Sequence, residues 1–130
     1  MSENRLTNDL LPMLHQQGTL NDLDVHFARF MERLAGSESS ALVLAAALAS
    51  HATGQGDICI NLRQWARRWQ AMTEQGVEPP AFTLPPMNDW LDVVRASPVV
   101  GQPGERQPLI IDRRGRLYLY RYWQYEQRLA

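Results

Sequence analysis

A mainly helical α+β domain is predicted by three features of the chain: an all-apolar helix near its middle, amphipathic segments at helical spacing around it, and one hairpin pattern close to the C-terminus. The first feature is residues 41–49, ALVLAAALA, nine apolar residues behind the capping candidates Ser39 and Ser40. A helix that is apolar all round is buried on every side. Ala45, Ala46 and Ala47 leave room for neighbouring backbones to come close. The run falls well short of the roughly 20 apolar residues that span a bilayer. The expected architecture is a compact helical bundle around this central helix, with a short strand and a C-terminal β-hairpin. A winged-helix arrangement is a variant of the same plan.

At 130 residues, with 45% apolar, the chain is expected to form one domain with a single modest core. A formal net charge of −1 gives no global pull toward nucleic acid or acidic membranes. The charge is uneven: residues 1–50 carry three Arg against six acids, and residues 51–130 carry ten Arg against eight. The chain has no lysine, which excludes within it a Walker A lysine, a Schiff-base lysine and a Ser-Lys dyad. Cys59 is the single cysteine, so no internal disulfide or cysteine-based zinc site can form. The N-terminus lacks a charged segment followed by an apolar one, and the expectation is a cytoplasmic protein without a membrane span.

In chain order, residues 4–17 read as an amphipathic helix carrying Leu6, Leu10, Leu11 and Leu14, interrupted by Pro12. Asn21 or Asp22 caps a second helix to about residue 34, with Leu23, Phe27, Phe30, Met31 and Leu34 as its inward stripe. The apolar helix follows, stopped by Gly54 and Gly56. Residues 57–60 read as a strand, and Asn61 caps a helix over 62–74 with Gln64 at the capping-box position. There Leu62, Trp65, Trp69 and Met72 form an inward seam, with Arg63, Arg67, Gln70 and Glu74 opposite. Residues 76–86 are a Pro-rich loop. Asn88 caps a helix over 89–96, with Trp90, Leu91, Val93 and Val94 as its apolar set, and residues 97–108 form a second loop. Residues 109–120, LIIDRRGRLYLY, read as a β-hairpin with Gly115 in the left-handed position. From about residue 122 the pattern turns helical again and stops at Ala130 without a cap, as expected of a piece of a longer chain.

No catalytic constellation stands out. His15, His26 and His51 lie on separate segments, and a solvated helix face explains Asp22 with His26 better than a metal site. His51 suits a helix C-terminus. Gly54-Gln55-Gly56 precedes a strand instead of following one, so a helix stop explains it better than a phosphate loop. A nucleophilic Cys59 working with His51 is the weakest reading. The basic and aromatic C-terminal region is the stronger candidate. Arg63 and Arg67 on the would-be recognition helix, with Arg113, Arg114, Arg116, Tyr118, Tyr120, Arg121 and Trp123, form a set suited to a nucleic-acid contact or to a protein interface rich in Tyr, Trp and Arg. The alternative is that the aromatics are core and the arginines a solvated hairpin tip.

Three segments, LDVHFARF, LAAALASHATGQGDICINL and PLIIDRRGRLYLYRYWQYEQRLA, together resemble the N-terminal domain of RecD, the alpha subunit of the exodeoxyribonuclease V (RecBCD) helicase–nuclease. Residues 63–107 add little to the likeness. The resemblance implies a 5′-to-3′ DNA helicase acting in double-strand-break repair and recombination, with ATP and Mg²⁺ held by later domains through a G-x-x-x-x-G-K-[ST] loop. It also implies that this domain docks a RecC-like subunit, and through it RecB. The family's ATP and DNA residues lie in those later domains, so none carries over to this chain, which is expected to be no enzyme alone.

Overall fold

The computed structural model describes residues 14–16, 18–36, 38–74 and 87–120. Residues 14–16 are helical and Leu14 is buried; the rest of the helix expected over 4–17, the 76–86 loop and the helix expected after 122 lie outside the described residues.

The first full helix, α1 (Asp22–Ala35), starts at a complete capping box: the Asn21 side chain accepts from the Asp24 backbone N–H, and Asp24 reaches back to the Asn21 N–H. It ends at Gly36, whose φ of +78° is left-handed. Helix α2 (Ser40–Gly54) follows from the cap Ser39, and every side chain from Ser40 to Ser50 is buried. Its alanines let α1 and the sheet close in, which makes it the central helix the sequence predicts. Gly54 is its last residue and not a stop outside it; the left-handed turn falls on Gly56, at φ +93°.

Strand β1 (Cys59–Asn61) leads directly into α3 (Leu62–Glu74), with the Asn61 side chain accepting from the Gln64 N–H at 3.0 Å. The strand starts two residues later than the pattern indicates. Leu62 and Ala66 are buried, and Trp65 and Trp69 stack at 5.4 Å and pack against the core. Helix α4 (Met87–Ala96) begins before Asn88, which therefore sits inside the first turn and is not its cap. Its inward residues are Trp90, Leu91 and Val94; Val93 points outward. Strands β2 (Val100–Gly101), β3 (Leu109–Ile111) and β4 (Arg116–Leu119) complete a sheet of order β1-β4-β3-β2, antiparallel except for β2 with β3. The fold class is the expected α+β.

Helix, strand, helix, helix and hairpin, with β1 paired to β4, is the connectivity of a winged helix. In it α4, and not α3 with Arg63 and Arg67, leads into the hairpin. No helix among the described residues is long and apolar enough to cross a membrane.

Candidate interaction surfaces

The β3–β4 turn is organised by Asp112. Its Oδ1 accepts the backbone N–H groups of Arg114 and Arg116, both at 2.9 Å, and its Oδ2 accepts Arg116 Nε at 2.6 Å. Gly115 adopts φ +81°, where a side chain is strained, and its carbonyl accepts the first N–H of α3, from Leu62, at 3.1 Å. That bond seats the turn on α3. A Cβ on Gly115 would lie 3.5 Å from both Arg63 Nε and Leu91. From α4, Arg95 donates to the carbonyls of Asp112 at 3.2 Å and Arg113 at 3.4 Å.

This geometry sorts the arginine and aromatic candidates. Arg63, Arg113 and Arg114 come together at the turn, and Arg67 follows one turn along α3. Arg67, Arg113 and Arg114 are exposed, and none of these four guanidiniums is ion-paired among the described residues. Arg116 is bound to Asp112; that hydrogen bond raises its pKa and makes the guanidinium part of the turn. Tyr118 is 2% exposed and belongs to the core, so the expectation that it is a contact residue is corrected. Period-2 alternation sets Tyr118 and Tyr120 opposite Leu117 and Leu119, but Ile110 and Tyr118 are buried together, so this part of the sheet is covered on both sides. Tyr120 is half-buried, and Arg121 and Trp123 lie outside the described residues.

A second surface was missed. On α1 the residues facing α2 are Asp24, Ala28 and Met31, while Leu23, Phe30 and Leu34 are 71%, 48% and 50% exposed. Helix α1 carries two adjacent stripes of similar spacing, 23/27/30/34 and 24/28/31/35, and hydrophobicity favours the wrong one. The rotation is set by Asp24. Besides its capping bond, it accepts the Ser50 hydroxyl at 2.6 Å and faces His51 Nδ1 at 3.3 Å, both on α2. Small Ala28 then meets the alanine-rich helix. The signal was present in the capping box, which requires Asp24 near the helix start but does not by itself point it inward. Although Ser50, Asp24 and His51 are the residue types of a hydrolytic triad, the carboxylate sits between the other two, so serine and histidine are not bonded as nucleophile and base.

The model of the family described as RecBCD enzyme subunit RecD, N-terminal domain, matches residues 16–118. The RecBCD enzyme subunit RecD of Mycolicibacterium smegmatis is 36% identical over 111 residues, 85% of this chain and 18% of that protein. The protein of the same description from Mycobacterium tuberculosis is 36% identical over 116 residues, 89% of this chain and 18% of its own length. The chain thus spans about a fifth of the length of these relatives.

Proposed function

The chain belongs to the family of RecD N-terminal domains, and from that premise we propose that it is the subunit-docking domain of a RecD-like 5′-to-3′ DNA helicase, part of an exodeoxyribonuclease V that acts in double-strand-break repair and recombination. The partner in this reading is a RecC-like subunit, and through it RecB. The observation that carries it is the size of the unit: a core closed around α2 within a span that aligns with 18% of a relative's length is a module set beside a much larger machine. The residues present do not fit ATP, because a chain without lysine cannot supply a G-x-x-x-x-G-K-[ST] loop. ATP and Mg²⁺ are assigned to the remaining domains of such a subunit, and the helicase activity with them. The test is co-expression of the full-length subunit, with and without this domain, alongside the other subunits. Loss of assembly on deletion supports docking; unchanged assembly sinks it.

A second reading, nucleic-acid binding by the hairpin tip, is favoured by Arg63, Arg67, Arg113 and Arg114, which join no ion pair among the described residues. Against it, α4, the helix that leads into the hairpin, exposes Asp89 and Asp92, which repel phosphate. Titration of DNA at low and moderate salt decides: binding that weakens steeply with salt, and is lost on Arg113→Ala with Arg114→Ala, would establish it.

A further inference from the structure

The face of α1 that the core leaves free has the spacing of a helix–helix seam. Leu23, Phe27, Phe30 and Leu34 follow one another at four, three and four residues, the alternation that keeps one line of side chains facing a partner helix through three turns. Half-buried Phe27 joins the three exposed side chains to the core. One flank of the seam, Asp24 and Met31, is sealed against α2. The other, His26 and Arg33, is exposed. The Arg33 guanidinium stands 5.9 Å from the centre of the Phe30 ring and joins no ion pair among the described residues. The open flank is thus acidic at its N-terminal end, at Asp22, and cationic at its C-terminal end, at Arg33.

Three exposed side chains of this kind offer apolar surface on the order of a few hundred Å², well under the roughly 800 Å² per partner of a stable interface. A second copy held by this seam alone would dissociate. The occupant needs further anchoring, which a subunit assembled on the rest of a longer polypeptide has. We propose that the seam takes an amphipathic α-helix of another subunit of the complex, with large aliphatic residues along its contact line and Asp or Glu opposite Arg33. This rests on the docking reading and names its surface.

The test uses the full-length subunit co-expressed with the remaining subunits, one of them tagged, and compares four forms: wild type, deletion of this domain, Leu23→Asp with Leu34→Asp, and Arg33→Glu. The expected result is about tenfold lower retention for the double variant, about threefold for Arg33→Glu, and a melting temperature lowered by no more than a few degrees for both, since each puts a negative charge in the last turn of α1. Leu23→Gln with Leu34→Gln repeats the comparison without added charge should the aspartates impair folding. A photo-cross-linker at position 34 should map to an acidic-flanked amphipathic helix of another subunit. If deletion lowers retention but the double variant stays within about twofold of wild type, docking stands and the seam is wrong. Unchanged retention on deletion removes docking and the seam together. A cross-link to a second copy, to later domains of the same subunit, or to nucleic acid overturns the proposal.

Discussion

The Ser50 hydroxyl of α2 donates to Asp24 Oδ1 of α1 at 2.6 Å, and both side chains are buried. The bond ties the C-terminal half of the central helix to the first turn of the helix beside it, and so selects which face of α1 is left to solvent.

Asp24→Ala is expected to cost about 2–4 kcal/mol of folding stability, since it removes a cap and leaves the Ser50 hydroxyl without its acceptor. Ser50→Ala should cost less, about 1 kcal/mol, because the carboxylate keeps its other partners. A double-mutant cycle by urea denaturation should return a positive coupling between the two. A loss below about 1 kcal/mol for Asp24→Ala would show that the buried carboxylate does not fix the helix rotation.

Two glycines should respond with opposite signs. At Gly101, where β2 meets β3, a Cβ would lie 2.9 Å from Gln107 Cγ and 3.0 Å from Glu105 Cβ, so Gly101→Ala forces the loop after β2 to move. The expected loss is about 1–3 kcal/mol. Gly54, the last residue of α2, has open space around its Cα and no positive φ, so Gly54→Ala should gain about 0.4–1 kcal/mol by restricting the unfolded chain. Equal effects in thermal melts would contradict the packing around Gly101.

Much of this fold was legible because its signals are local. Asn21, one of the two caps offered there, the Ser39 cap, the 41–49 run and Gly115 each specify backbone within a few residues, and the structure agrees at each. What stayed hidden was set by contacts distant in sequence. Strand β2 is two residues long and exists only through its pairing with β3. Tyr118 is buried by tertiary packing that period-2 alternation does not encode. Val93 and the outward stripe of α1 reflect how each helix is rotated, which a polar residue can settle against hydrophobicity, as Asp24 does. Of the candidate contacts, Arg63, Arg113 and Arg114 were brought together by the Leu62–Gly115 bond; Arg116 was claimed by Asp112, a pairing its position four residues away permits but does not require.

Asp112→Ala should loosen the hairpin turn without unfolding the domain. Three hydrogen bonds converge on this largely buried carboxylate, two from backbone N–H groups, and the expected loss is about 1–2 kcal/mol after allowing for solvent screening of the more exposed Arg116. Amide exchange at Arg114 and Arg116 should accelerate, while that of the buried α2 amides tracks only the global change. Unaltered exchange at both turn amides would mean that other contacts, such as those from Arg95, hold the turn.

Leu23 and Ala28 decide which face of α1 looks outward. Taken by hydrophobicity alone, Leu23 belongs inside and an alanine is neutral anywhere. In the structure Leu23 is 71% exposed and Ala28 fully buried against α2. Leu23→Asp should therefore change stability by no more than about 0.5 kcal/mol, and it lies at the helix start, where an added negative charge is well placed against the dipole. Ala28→Leu inserts a large side chain where two helices approach through alanines, and should cost about 1–3 kcal/mol. Chemical denaturation of the two variants side by side separates the orientations, because the opposite order, a severe Leu23→Asp with a tolerated Ala28→Leu, is what the hydrophobic stripe alone requires.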